Sequence, residues 1–147
     1  MNNWTYKGVE FTDISQFPEG VVGFVYEIRH KLTGKFYVGK KNLYSTRTKA
    51  MGKKELAQLT DKRASKKKKI VSESDWKTYY GSEEELKKDI KLYAESNFHR
   101  EILHFSFDSR SLTYQEVRYQ ILKGVLESDN CYNRSILGKF YKQAVSK

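Results

Sequence analysis

Cysteine, proline and unbroken apolar stretches are all scarce in this chain, and each scarcity closes off a class of protein. Cys131 is the single cysteine among 147 residues. An internal disulfide framework is therefore impossible, and the chain fits a reducing, cytoplasmic compartment. No apolar run approaches a membrane span, and the polar opening Met1-Asn-Asn-Trp-Thr5 lacks the apolar core of a signal peptide. The three histidines, His30, His99 and His104, share no zinc-ligand spacing with Cys131. Acidic residues are also in short supply. Lys and Arg number 28 against 18 Asp and Glu, a formal charge of +10. Such an excess favours a polyanionic partner, either nucleic acid or an acidic membrane surface. The length suits one domain able to bury a core.

What the chain does have is a pair of short runs rich in β-branched and aromatic residues, Phe24-Val-Tyr26 and Tyr37-Val-Gly39. The turn signal Thr33-Gly34 lies between them, so they read as an antiparallel hairpin at about 22–41. A loop of two or four residues centred on Thr33-Gly34 sets Tyr26 opposite Lys41, Ile28 opposite Gly39 and His30 opposite Tyr37. Tyr26, Tyr37, Gly39 and Lys41 then share one face, because side chains alternate along a strand. Two phenols and an ammonium would surround a glycine that leaves room for a ligand. A three-residue loop would break the grouping.

Residues 1–20 read as an N-terminal extension, with a β-ribbon at Tyr6–Phe11 and a turn at Pro18-Glu-Gly20, packed against the edge of a domain covering 21–147. A basic insert at about 42–74 carries Arg47, Lys49, Lys53, Lys54, Lys62, Arg63 and the run Lys66, Lys67, Lys68 and Lys69. Leu56 and Leu59 mark a short helical piece within it. Such a run cannot bury itself. It is either a solvated insertion or a footprint that holds duplex DNA by its backbone. The aromatic block Asp75-Trp-Lys-Thr-Tyr-Tyr-Gly-Ser82 follows, with Trp76 and Tyr79 assigned to the core. Glu83–Glu95 is a predicted helix capped by Ser82, with Leu86 and Ile90 on its buried face. Phe98–Phe107 is a third strand. Ser111–Glu127 is a helix capped by Ser109 or Ser111, with Val117, Ile121, Leu122, Val125 and Leu126 as its apolar stripe. The whole is an α+β domain, a small three-stranded antiparallel sheet flanked by helices.

The hairpin resembles the signature of the GIY-YIG nucleases, in which two tyrosine-bearing strands border a phosphodiester-cleaving site. Gly39-Lys-Lys41 after the second tyrosine, the Asp75–Ser82 block and the segment Tyr132-Asn-Arg-Ser-Ile-Leu-Gly138 are similar to small phage Seg-type homing endonucleases. The likeness covers roughly 21–138. It implies a metal-dependent DNA endonuclease, with double-stranded DNA as partner and Mg²⁺ or Mn²⁺ as cofactor. It further implies that Tyr26 or Tyr37 activates water, with Lys41 as helper. Arg47, on a helix after the hairpin, would clamp the phosphate; Glu116 would hold the metal; Asn133 would brace the site. Gly39, Lys40, Tyr80, Arg63 and Lys66–Lys69 would contact substrate, Tyr80 as a third phenol. Thr113-x-x-Glu116 also fits a helix capping box, which would give Glu116 a purely structural duty.

Two departures stand out. Phe24 occupies the place of the first glycine in a strict Gly-Ile-Tyr, and Met51 stands where several members carry histidine. Homing enzymes of this family often carry a separate DNA-reading domain, and none is visible in the sequence. One rival reading is a non-catalytic basic DNA-binding protein on a degenerate nuclease scaffold. The other is a basic accessory protein that binds a protein or RNA. No obligatory protein partner is indicated.

Overall fold

The computed structural model describes residues 2–58 and 67–142. Its contacts divide the chain into two compact units, one of Met1–Leu43 with Asp75–Lys147 and one of Tyr44–Ser74. In chain order the strands are β1 (Trp4–Tyr6), β2 (Val9–Phe11), β3 (Gly23–His30), β4 (Phe36–Asn42), β5 (Tyr44–Ala50), β6 (Lys67–Glu73), β7 (Phe98–Ser106), β8 (Ser135–Ile136) and β9 (Phe140–Tyr141). The helices are α1 (Lys53–Ala57), α2 (Glu84–Tyr93) and α3 (Ser109–Leu122).

The first unit is built on a five-stranded sheet in the order β2-β1-β7-β3-β4. The expected antiparallel trio is its centre, β3 lying between β4 and β7. The N-terminal ribbon extends that sheet in plane, because β1 pairs parallel to β7 through Thr5 and Glu101. The sheet is therefore mixed and five-stranded, not three-stranded and antiparallel. Strand β3 is buried on both faces apart from Arg29, which explains its nearly continuous apolar run.

One face of the sheet carries Phe24, Tyr26 and Ile28 into a cluster with Trp4, Phe17, Trp76 and Leu86. The other carries Val25 and Val38 against Leu112 of α3 and Val125, Leu126 and Cys131 beyond it. The capping expectations shift by one position or more. Glu83, not Ser82, caps α2 by accepting from the Glu85 N–H. Asp108 caps α3 by accepting from the Ser111 N–H, so Thr113 and Glu116 lie inside the helix and form no capping box. In both places a carboxylate gains from the positive end of the helix dipole as well as from the hydrogen bond.

A buried arginine ties the N-terminus to the aromatic block. Arg100 on β7 is 2% exposed and donates to the carbonyls of Asn2, Lys77 and Tyr79 at 2.7–3.0 Å. Its guanidinium stacks over Trp4 and Tyr80. Burial lowers its pKa from the usual arginine range, and the carbonyls hold the charge in place. Arg100→Met keeps the volume but strands three carbonyls. It is expected to cost about 2–4 kcal/mol in urea unfolding, since hydrogen bonds to a buried charged group are strong and their loss leaves acceptors unpaired.

The second unit is a two-stranded antiparallel ribbon, β5 against β6, with α1 toward its tip. The short helix agrees with the sequence reading, whereas the ribbon was not anticipated. Arg63 and Lys66, two expected substrate contacts, and Lys62 and Leu59 lie outside the described residues.

Candidate active site at the edge of the sheet

The β3–β4 register differs from the sequence expectation by two residues. Tyr26 pairs with Gly39, Ile28 with Tyr37 and Phe24 with Lys41, around a loop at 31–34. Tyr26 therefore does not face Lys41. A slip of two preserves the alternation, so Tyr26, Tyr37, Gly39 and Lys41 still share one face. The space above Gly39 is not open to a ligand. A Cβ there would stand 2.6 Å from the Tyr26 hydroxyl oxygen and 2.9 Å from the Tyr37 ring. The glycine makes room for the Tyr26 phenol.

Strand β4 ends the sheet, and side chains rather than a further strand cover its outer edge. Val38 donates its N–H to Asn133 Oδ1 at 3.0 Å and its carbonyl accepts from Asn133 Nδ2 at 2.9 Å. The same carbonyl accepts from Gln120 Nε2 at 3.0 Å. Two residues on, Glu116 accepts from the backbone N–H of Lys40, whose ammonium donates to Thr113 at 2.7 Å. Thr113, Glu116 and Gln120 repeat at helical spacing, so one stripe of α3 meets the edge of β4. The expected apolar stripe holds in part: Leu112 is buried, Val117 packs against the core, and Val125 and Leu126 are buried beyond the end of the helix. Gln120 is buried, while Ile121 and Leu122 of the predicted apolar stripe are 64% and 65% exposed. Polar groups are needed inside because a strand edge presents unpaired backbone donors and acceptors.

Burial raises the pKa of both Tyr26 and Tyr37, and the negative charge of Glu116 adds a smaller push in the same direction. Burial raises that of Glu116 itself, against the opposing pull of Lys40. The phenols differ. Tyr26 is 1% exposed, and burial pushes it well above the ordinary tyrosine range. Its hydroxyl donates to Tyr79, which favours the neutral form further. Tyr37 is half-buried and is also raised by burial, but the Ser82 hydroxyl, 3.4 Å away, supports its phenolate. A register bulge in the β3–β7 pairing falls between Val25 and Tyr26, next to the buried phenol.

A family model, that of the SegE GIY-YIG endonuclease domain, matches residues 4–136. The chain belongs to the GIY-YIG nucleases. No curated protein and no solved structure matches it significantly. It is thus a DNA endonuclease, a hydrolase acting on phosphodiester bonds.

Of the residues singled out in the sequence of this nuclease, Tyr26, Tyr37, Gly39, Lys40, Glu116 and Asn133 come together around β4. Lys41 is nearby but otherwise engaged. Its ammonium pairs with Asp75 and lies 4.1 Å from the centre of the Tyr79 ring, so it acts on Tyr79 and not on Tyr26. Tyr79, not Tyr80, is the third phenol. The chain is extended after Trp76-Lys-Thr78, so the two side chains diverge, and the Tyr80 hydroxyl meets Asn2. Arg47 is on strand β5 opposite Ile70, not on a helix, and belongs to the second unit with Lys67, Lys68 and Lys69. Lys68 pairs with Glu55 at 2.6 Å.

Sequence reasoning missed Gln120, Tyr79 and Arg134. Gln120 could have been found from its spacing four residues after Glu116. Arg134 adjoins Asn133, is 71% exposed and pairs at 3.2 Å with Glu83, a carboxylate whose charge is felt at Tyr37. GIY-YIG nucleases generally use divalent metal ions. Glu116 fits one: it is a half-buried carboxylate, destabilised by desolvation and opposed by one lysine, so a cation would relieve its charge. Magnesium needs few protein carboxylates, since it keeps several waters and uses substrate phosphates.

Gly39→Ala tests the packing. The new methyl would collide with a rigid, buried ring, so a loss of about 1–3 kcal/mol in thermal or urea unfolding is expected, as for other overpacked cores. Plasmid cleavage should fall further than stability, because the methyl displaces both tyrosines.

Proposed function

We propose that this nuclease is a divalent-metal-dependent enzyme that cuts double-stranded DNA, with Tyr37 activating water and Glu116 holding Mg²⁺ or a similar cation. The observation that carries this reading is the docking of one stripe of α3, Thr113 on Lys40 and Gln120 on Val38 with Glu116 between them, against β4, the strand that bears Tyr37 and Gly39. Tyr37 is preferred over Tyr26 as the base. A general base must reach the water and exist as phenolate some of the time. Tyr37 is the more accessible and receives support from Ser82, whereas Tyr26 is enclosed and keeps its proton in a hydrogen bond to Tyr79. Tyr26 then serves as a brace that sets the Tyr37 ring through their 6.1 Å contact. Asn133 and Gln120 hold β4 in place. Arg134 offers a guanidinium at the rim for a phosphate oxygen. Arg47 and the other cations of the insert add positive charge that favours the DNA backbone. A metal on Glu116 would neutralise the charge that grows on the scissile phosphate and leaving oxygen. A phage-type homing role is in keeping with the match to the SegE family.

Supercoiled plasmid nicking with Mg²⁺ and with EDTA is the direct test, with nicking expected only in the first. Glu116→Gln should abolish nicking and leave DNA binding intact. A chain that nicks equally well in EDTA, or after Glu116→Gln, would refute the metal assignment. The same substitution removes a negative charge beside Tyr37, so its phenol pKa should fall, as read by NMR of ring-labelled tyrosine.

The pH dependence has a definite sign. The Tyr37 pKa lies above the ordinary 10.0, so only a small phenolate fraction exists near neutrality. Single-turnover cleavage should rise about tenfold per pH unit from 7 to 9, as expected for a base titrating above its working pH. Tyr37→Phe should remove both the activity and the slope. Tyr26→Phe should lower the rate and leave the slope.

A further inference from the structure

The ribbon of the second unit has an unusual balance. Seven cross-strand pairs run from Tyr44–Glu73 to Ala50–Lys67, yet no residue of either strand is buried. An isolated two-stranded hairpin is marginally stable in water, since it has no core to close over. Repulsion adds to the difficulty: Lys49 stands directly opposite Lys68. Residues 44–74 contain ten of the 28 Lys and Arg but only three of the 18 Asp and Glu. A polyanion would relieve that repulsion.

The two faces of the ribbon differ. On one, Lys68 and Ile70 are half-buried and Lys68 pairs with Glu55 of α1. On the other, Tyr44, Thr46, Thr48, Ala50, Lys67, Lys69, Val71 and Glu73 are all exposed, Val71 by 62%. The open face therefore carries one carboxylate at its base, hydroxyls and methyls along its middle, and two lysines toward its tip.

We propose that this open face lies in the major groove of duplex DNA and reads base edges, so that the ribbon selects where the nuclease cuts. The inference rests on the reading of the chain as a nuclease of double-stranded DNA. The major groove, ~12 Å wide, admits a two-stranded ribbon, and the minor groove, ~6 Å wide, does not. Seven residues at ~3.4 Å each reach roughly 24 Å, about seven base-pair steps. Thr46 and Thr48 can donate to or accept from base edges. Val71 suits the thymine methyl, and Lys69 suits the guanine O6 and N7. Phosphate contacts alone position a protein without reading sequence, so neutral side chains at the centre of a basic ribbon point to bases. The opposite face is less open, because Lys68 and Ile70 are half-buried there and Glu55 of α1 engages the Lys68 ammonium, whereas Glu73 on the open face stands at its base, away from the tip lysines. Double-stranded RNA is excluded as the target, because its major groove is too narrow and deep to be read.

The test uses the full-length protein in EDTA with a DNA duplex library of randomised centre. Wild type should enrich a preferred sequence, and methylation of guanine N7 in that sequence should interfere with binding. Thr46→Val with Thr48→Val keeps β-branching and removes only hydroxyls. Lys69→Gln removes one exposed charge. Each variant should lose about tenfold or more of the preference for the enriched duplex over a scrambled one. Circular dichroism should show both folded. The double threonine variant should retain wild-type affinity for the scrambled duplex and the same salt dependence. The proposal is overturned if wild type binds without sequence preference, if both variants keep the preference, or if only adenine N3 methylation in the minor groove interferes. Those outcomes leave the nuclease reading standing. A chain that neither binds DNA nor nicks plasmid with Mg²⁺ would defeat the nuclease reading itself.

Discussion

The outer edge of β4 is the constraint on which the rest of the first unit depends. An exposed strand edge invites pairing with another chain, and proteins cover it in various ways. Here the cover is made of side chains. Asn133 imitates a neighbouring strand by donating and accepting at Val38, Gln120 doubles the contact at the same carbonyl, and Glu116 takes the N–H of Lys40. Cys131 adds a true bridge opposite Phe36. Covering the edge therefore brings Thr113, Glu116 and Gln120, from a helix on one face of the sheet, to the strand that carries Tyr37 and Gly39.

That arrangement also separates the roles of two tyrosines that look alike in sequence. Both feel the charge of Glu116, but their hydrogen bonds have opposite effects. Donation from Tyr26 to Tyr79 locks in the neutral phenol, while Ser82 favours the phenolate of Tyr37. Burial strengthens the contrast, because a phenolate excluded from water is costly. Gly39 belongs to the same economy of space. Without a Cβ it lets the Tyr26 ring lie against the strand, which places the buried phenol beside its half-buried partner.

Much of this was legible in the sequence, and the failures have physical causes. Strand alternation gave the shared face of Tyr26, Tyr37, Gly39 and Lys41 even though the register was off by two, since parity survives an even slip. The motif placed Glu116 and Asn133 correctly near the hairpin. Helix periodicity found Leu112 and Val117 but misplaced Ile121 and Leu122, because it assumes that the buried face is wholly apolar, and a face meeting a strand edge is not. The N-terminal ribbon was underestimated because three-residue strands carry almost no pattern of their own. Their place is set by Trp4 and Phe11 entering the core. The ribbon of the insert was hidden by its lysines, whose low β-propensity is outweighed by regular pairing with the threonine-rich strand opposite.

Charge is distributed unevenly between the two units, and this bears on how a small nuclease handles its substrate. Around the tyrosine hairpin many cations are already matched: Lys35 with Glu85, Lys41 with Asp75, Arg29 and Lys123 with Glu27, Arg134 with Glu83. Most of the surplus that gives the chain its +10 lies in residues 44–74. A site rich in unmatched lysines would hold the negative product as firmly as the substrate, and uniform binding of that kind does not speed the chemical step. With the surplus concentrated in residues 44–74, the local field at Glu116 is set by a few neighbours, burial and the charge of Lys40 among them.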